Sequence, residues 1–276
     1  MIVVTGATGN VGRPLVRALA AAGRQVTAVS RGTAADRVPP GVRQVRADLA
    51  DPAGPGPAFE GAEAVFLLLT GEWPAATGGD PGRLLGAVRA GGARRVVLLS
   101  SQGVGSGRHP ADLEEAVKGL GLDWTVLRPG GFASNAFQWA AEVRERRTVS
   151  APFGDVALPV IDPEDIAAAA AATLLGEGHE KQTYELTGPV PVSPREQAAA
   201  LGEAIGEPVA FVELSRAEAR ERMLRFMPEP VAEATLGILG EPSARERQVS
   251  GDVERLLGRP PRPFAAWAAR NAAAFA

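Results

Sequence analysis

The sequence predicts an α/β fold: a Rossmann, doubly wound parallel sheet with helices on both faces and a smaller C-terminal α/β lobe. Three observations carry that expectation. Short apolar runs rich in branched residues alternate with helical patterns, the runs hold few polar residues, and a loop of regularly spaced glycines joins the first run to the first helix.

The first strand is Ile2–Thr5, and the glycine loop follows it directly. Val11, Leu15, Val16 and Leu19 then fall on one helical face, with Gly23 as the stop. Val26–Ser30 is the second strand, and residues 42–47, 64–69, 96–100 and 124–127 read as four more. Helices are expected over residues 81–90 and 111–119, the second closed by Gly119 and Gly121. Residues 51–57 and 74–82 read as turn-rich surface loops. Past about Gly130 the pattern changes. A segment with Phe132, Phe137 and Trp139 precedes a helix at Pro163–Leu175, a short strand at residues 183–186, a helix at Pro194–Ile205, a strand at residues 209–214 and mostly helical sequence thereafter. The expected division is a dinucleotide-binding core over residues 1–130 and a smaller substrate-binding lobe over residues 131–276. No long linker separates them, so the lobe is expected to interleave with the core and pack on it.

Composition narrows the chemistry. The chain has 276 residues, 45% hydrophobic and 22% charged, enough for one sizeable core with a small lobe attached. Its 29 basic and 32 acidic residues leave a formal charge of −3, and the basic ones are scattered, so neither nucleic acid nor an anionic membrane surface is an expected partner. The absence of cysteine excludes disulfides, a thiolate nucleophile and Cys-ligated metal. With only His109 and His179, a histidine-rich metal site is excluded as well. The longest apolar stretches, residues 64–69 and 166–172, fall well short of the roughly 18 to 20 residues that cross a bilayer. The opening residues read at once as a strand, leaving no room for a leader segment, and the expected compartment is the cytoplasm. What remains is carboxylate, hydroxyl, backbone and cofactor chemistry.

In Thr5-Gly6-Ala7-Thr8-Gly9-Asn10-Val11-Gly12 the glycines recur every third residue. Gly6 lets the chain turn sharply, Gly9 lets backbone amides approach a pyrophosphate, and Gly12 lets the helix pack closely on the strand. An ordinary strand-to-helix turn is the plain alternative, but the loop's position between an apolar strand and an amphipathic helix favours dinucleotide binding. The second strand ends Ser30-Arg31-Gly32 with no carboxylate until Asp36, which favours NADP(H) and leaves NAD(H) open. Arg31 is the main expected partner of a 2′-phosphate and Arg13 a second; a solvated surface arginine is the alternative for Arg31. Asp48, with Leu49 after it, is placed to meet the adenine, or else to cap a helix.

The segments TGATGNVGRPLV, VVLLSS, LEEAVKGLGLDWTVLRPGGF, DPEDIAAAAAATL, TYELTGP and LGRPPRPFAAW run from residue 5 to residue 267. Together they resemble the atypical short-chain dehydrogenase/reductases, specifically the NmrA-like branch that includes NADPH quinone oxidoreductases, triphenylmethane reductases and redox-sensing regulators. The resemblance implies that Gly6, Thr8, Gly9, Asn10, Val11 and Gly12 hold the pyrophosphate side and that Arg31 and Asp48 hold the adenosine side. It further implies that Leu68, Leu69 and Thr70 border the nicotinamide ribose, that Ser100 and Ser101 lie beside the nicotinamide, and that Pro129, Gly130, Gly131 and Phe132 wrap its amide.

Typical short-chain reductases protonate the substrate oxygen with a Tyr followed four residues later by a Lys. Here the only tyrosine is Tyr184, followed at that spacing by Gly188, so the usual donor is missing. His109 is the best side-chain candidate, with a helix cap or a surface residue as the alternative; Ser101 could bond a carbonyl oxygen or merely cap the strand end. Glu114 and Lys118 stand four apart on a helix and read as a solvent-face ion pair. Phe132, Asn135, Trp139 and Phe153 line an aromatic pocket or fill the lobe core. The expected activity is reduction of a quinone or aromatic ketone at the expense of NADPH, in detoxification or in the tailoring of aromatic polyketides, with a monomer or homodimer as the unit. The alternative is a non-catalytic sensor that binds NADP(H).

Overall fold

A computed structural model of the chain describes residues 1–32, 38–51, 55–69 and 80–276. Among the described residues the strands are β1 (Ile2–Thr5), β2 (Val26–Ser30), β3 (Arg43–Arg46), β4 (Ala64–Leu67), β5 (Arg95–Leu99), β6 (Asp123–Pro129), β7 (Thr148–Pro152), β8 (Gln182–Leu186) and β9 (Ala210–Leu214). Seven of them form one sheet, parallel throughout, in the order β3-β2-β1-β4-β5-β6-β8. The order reverses between β1 and β4, so the crevice of this sheet opens at the C-terminal ends of those two strands.

The apolar runs are buried on both faces because helices cover both. Ile2 and Val4 enter one core cluster with Leu15, Leu19 and Ile166, whereas Val3, Val65 and Leu67 enter another with Phe59, Leu84 and Val88. This alternation follows from the period of two along a strand. The covering helices of the first half are α1 (Gly12–Ala21), α2 (Gly56–Phe59), α3 (Gly82–Ala90), α4 (Gln102–Gly105) and α5 (Asp112–Lys118). A 3₁₀ segment at Ala133–Trp139 leads into α6 (Ala140–Arg146), α7 (Pro163–Leu175) and α8 (Pro194–Ile205). The chain finishes with α9 (Arg216–Met223), α10 (Glu229–Gly240), α11 (Ala244–Arg247), α12 (Asp252–Leu257) and α13 (Phe264–Arg270). None of the described helices is long and apolar enough to cross a membrane.

Two expectations need correction. The strand expected at residues 183–186 belongs to the main sheet, as β8 beside β6, and Tyr184 accordingly sits in the sheet's core cluster. The strand near residue 210 has a partner the sequence did not suggest: β9 pairs in parallel with β7 as a separate two-stranded sheet. Of the expected surface loops, residues 52–54 and 74–79 lie outside the described residues, as do Asp36 and Thr70; Gly56–Phe59 is the short helix α2.

The second half is tied to the first through α7. Its sequence, PEDIAAAAAATLL, is apolar nearly all round, and it packs beside α1 and against β4, β5 and β6. Asp162 caps it by accepting the amide of Glu164 at 3.0 Å, with Pro163 in the first turn. Three residues on, Asp165 is fully buried and accepts from Arg259 Nη2, Arg262 Nη1 and the Arg262 amide, each at 2.6 Å. Arg270 bonds Asp162. These bonds seat α13, whose Phe264 and Trp267 join Trp139, Val149, Leu201 and Phe275 in a third core cluster. Removing the buried carboxylate leaves two guanidinium groups without their acceptor, so Asp165→Ala is expected to lower unfolding free energy by about 3 kcal/mol. A urea titration with an unchanged slope and a reduced midpoint is the expected outcome.

Candidate functional site: the glycine-loop cleft and the ends of β5 and β6

The glycine loop takes its shape from contacts a side chain would destroy. Gly6 is left-handed, at φ +61°, and its carbonyl accepts the Gly9 amide at 3.0 Å. A Cβ on Gly12 would stand 2.1 Å from the Gly6 oxygen, so only glycine lets the start of α1 sit this close to the end of β1. Thr5 Oγ1 accepts the Leu68 amide at 2.7 Å and binds the end of β4 to the same point. The first turn of α1 carries no acidic residue, and among the described residues the amides of Asn10 and Val11 meet no protein acceptor. This is an arrangement suited to an anion.

Beside the loop lies a cleft of about 560 Å³ lined by Gly6, Thr8, Gly9, Asn10, Ser30, Arg31, Asp48, Leu49, Leu68 and Leu69, among others. The fit to a dinucleotide is good: glycine backbone on one wall, a guanidinium at the end of β2, and apolar side chains toward β4. Arg46 Nε donates to the Arg31 carbonyl at 3.1 Å, and Ser30 Oγ to the Gly32 carbonyl at 2.6 Å, which shapes the β2 end of the cleft. Asp48 accepts the Ala50 amide at 3.0 Å, so it holds a turn while it lines the cleft. Val11 and Gly12 are buried beneath the loop rather than in the lining.

A second group of candidates gathers at the ends of β5 and β6. Ser101 Oγ accepts the Gly103 amide at 3.0 Å and lies 3.1 Å from His109 Nδ1. The imidazole rests on Gly103, where a Cβ would come within 2.5 Å of Nδ1. His109 is therefore neither a helix cap nor a free surface residue. Burial lowers its pKa, with the charge of Glu246 opposing in part, so it is neutral at neutral pH and a weaker acid supply there than the sequence implies.

Ser100 points elsewhere. Its hydroxyl donates to Glu114 Oε1 at 2.6 Å. Glu114 is 2% exposed and takes both arms of Arg128, at 2.9 and 2.7 Å, as well as Lys118 at 3.2 Å. The expected solvent-face pair is thus the hub of a buried network that continues through Arg128 to Glu185 and Arg245. Arg128 was missed by sequence reasoning; the available signal was a charge directly after the apolar run Trp124-Thr125-Val126-Leu127, before the strand ends at Pro129.

After β6, the Gly130 amide donates to Leu186 O at 2.9 Å, and Phe132 forms a bridge with Ile161 and packs on the main core. Ser134, also missed, accepts from Asn10 Nδ2 at 2.8 Å and joins the glycine loop to the segment after β6. Of the residues expected in an aromatic pocket, Trp139 is core instead, 8% exposed among the third cluster. Asn135 is exposed and Phe153 half-buried. Tyr184 lies in β8 with its hydroxyl 2.8 Å from His179 Nδ1, away from Ser101 and His109 in the bonding network.

Residues 6–176 match a family model described as NAD(P)H-binding. The chain belongs to the NAD(P)H-binding family. Over its full length it is 38% identical to the (4-alkanoyl-5-oxo-2,5-dihydrofuran-3-yl)methyl phosphate reductase of Streptomyces griseus and covers 99% of that protein. It is 33% identical to the NAD(P)H azoreductase of Xenophilus azovorans, again with 99% of the relative covered. The fold is shared with the Escherichia coli NADPH-dependent quinone oxidoreductase complexed with NADPH, at TM-score 0.80, 24% identity and coverage of 98% of this chain and 99% of that one. It is shared equally with the Citrobacter triphenylmethane reductase complexed with NADP(H), at TM-score 0.80, 23% identity and coverage of 99% and 100%.

In this NAD(P)H-dependent oxidoreductase the Glu114 hub has a readable electrostatic signature. Burial pushes its carboxyl pKa up, but hydrogen bonds from Arg128, Ser100 and Lys118 outweigh it and hold the group down to about 2, against an ordinary 4.5. A carboxyl depressed in the folded state adds stability that is complete above 4.5 and is lost as pH falls toward about 2. Glu114→Gln is therefore expected to flatten the acid limb of the stability profile over that interval, as read by urea midpoints at successive pH values.

Proposed function

We propose that the protein is an NADPH-preferring reductase of a quinone or aromatic ketone, with Ser101 and His109 managing the proton that a Tyr and Lys manage in typical short-chain reductases. The observation that carries this reading is the 3.1 Å contact between Ser101 Oγ and His109 Nδ1 at the end of β5, two strands from the glycine loop. The names of the similar proteins support an unsaturated acceptor: a reductase of an alkanoyl-oxo-dihydrofuranyl methyl phosphate, an azoreductase, and a quinone oxidoreductase at 26% identity.

When bound, the dihydronicotinamide supplies the hydride, and the chain supplies orientation and the proton. Gly6, Thr8, Gly9, Asn10 and the amide of Val11 would hold the pyrophosphate, with Gly12 allowing the close approach of α1. Arg31 would pair with the 2′-phosphate, Asp48 and Leu49 would face the adenosine, and Leu68 and Leu69 would border the nicotinamide ribose. Pro129, Gly130, Gly131 and Phe132 would flank the nicotinamide amide. Ser101 already receives the Gly103 amide. In the neutral tautomer that carries its proton on Nε2, Nδ1 accepts the Ser101 hydroxyl. Once His109 is protonated, Nδ1–H donates to Ser101 Oγ, and the hydroxyl hydrogen is free to pass to an oxyanion formed on the acceptor. Conjugated acceptors, whose reduced anions are delocalised, need this supply least.

Arg31→Ala is expected to weaken NADPH binding about tenfold more than NADH binding, the worth of one charge-assisted phosphate contact; equal losses in calorimetry would remove the NADPH preference. Turnover of an aromatic ketone is expected to rise as pH falls through the range below 6.5 where His109 takes up its proton. His109→Phe should erase that rise, and so should Gly103→Ala, whose Cβ would enter the imidazole site at 2.5 Å. Saturable NADPH binding with no oxidation by any quinone or aromatic ketone would replace the enzyme reading with the sensor.

A further inference from the structure

Phe153 stands apart from the other aromatics in its backbone. It adopts φ +55°, a left-handed conformation that a bulky residue occupies only when its surroundings force it. Here they do. The Phe153 carbonyl accepts the Val156 amide at 2.9 Å, the Gly154 amide donates to Glu213 Oε1 at 2.9 Å, and the Gly154 carbonyl accepts the Arg195 amide at 3.1 Å. The ring is thereby aimed at α10, where a Cβ on Gly240 would meet three of its atoms at 2.6, 2.8 and 3.0 Å.

α10 is unusual in a second respect. Its sequence, EPVAEATLGILG, is largely apolar, yet only Ala232 and Leu236 are buried. Ile238, Leu239 and Phe153 are half-buried, and none of them packs against any of the three core clusters formed by the described residues. Apolar side chains shielded from water without belonging to a core are what a ligand wall consists of.

The location suits that use. Arg108 Nη2 donates to the Glu241 carbonyl at 2.8 Å, and Arg108 directly precedes His109, so the last turn of α10 is tied to the segment that carries the Ser101–His109 pair. From the Phe153 turn the chain continues to Ile161, whose amide donates to Gly131 O at 2.8 Å, beside the end of β6.

We propose that Phe153 and Gly240 form a size-setting contact: the Phe153 ring and the adjoining Ile238–Leu239 face of α10 make the apolar wall of the acceptor site, and the missing side chain at residue 240 fixes how deep that site is. This rests on the reading of the protein as a reductase of flat conjugated acceptors, and it adds which residues select among them by size. A methyl group at residue 240 drives the ring or the helix into the space the acceptor occupies. A smaller side chain at residue 153 that tolerates the left-handed conformation, such as asparagine, enlarges it.

The test uses the full chain loaded with NADP⁺ and measures dissociation constants for a one-ring and a three-ring quinone by calorimetry, with melting temperature recorded for every variant. Gly240→Ala is expected to weaken the three-ring quinone about tenfold relative to the one-ring, the scale of one methylene in an apolar pocket. Phe153→Asn should shift the ratio the other way, and the double variant should lose the Gly240→Ala effect. Phe153→Leu serves where Phe153→Asn lowers the melting temperature. An unmoved ratio in variants that keep their melting temperature overturns the proposal while leaving the reductase reading intact. Failure of the wild-type protein to bind either quinone overturns both; binding without NADPH oxidation strikes only the reductase reading.

Discussion

The site depends on one steric permission, the approach of α1 to the end of β1 over Gly6 and Gly12. With 2.1 Å between the Gly6 oxygen and the place a Cβ on residue 12 would occupy, no other residue fits. That approach sets the amides of Asn10 and Val11 beside the cleft, and Thr5 Oγ1 carries the same point across to Leu68. Arg31 at the end of β2 and Leu68 at the end of β4 line the cleft on the two sides of that junction.

The two serines at the end of β5 show how one strand end serves two purposes. Consecutive side chains on a strand point to opposite faces. Ser100 accordingly turns to the buried Glu114–Arg128 hub, while Ser101 turns to His109. The hub joins α5 to β6 and, through Glu185, to β8 and Arg245. The network satisfies both oxygens of Glu114 and leaves Glu185 Oε2 buried without a hydrogen bond, and its bonds to Glu114 brace the end of the sheet. The proton-handling pair proposed above stands at that braced end.

Much of this was legible in the chain. The apolar runs mark β1, β2 and β4–β6 because both faces of a parallel sheet are buried, and the glycine spacing marks the cleft because the backbone conformation needed there admits no side chain. Other features depend on partners distant in sequence. A Glu four residues before a Lys looks alike on a wet or a dry helix face, and only Arg128 arriving from β6 makes Glu114 a buried hub. β7, with sequence TVSAP, is short and carries small residues and a proline, and its strand partner β9 and much of the cluster that buries it come later in the chain. Trp139 reads equally well as pocket or core until Trp267 and Phe275 are brought against its segment from the far end of the chain.

The position of β8 governs how the sheet can be completed. It is one of the sheet's two edge strands, hydrogen-bonded to β6 from Thr125↔Gln182 to Pro129↔Leu186, yet the 3₁₀ segment, α6, β7 and α7 all intervene in the chain. As the polypeptide leaves the ribosome, β6 therefore waits with a bare edge of unpaired amides and carbonyls, open to wrong partners, until residues 182–186 have been made. A fragment ending near residue 130 would keep that edge permanently. The boundary that composition marks there is a change of pattern rather than a place where the molecule comes apart.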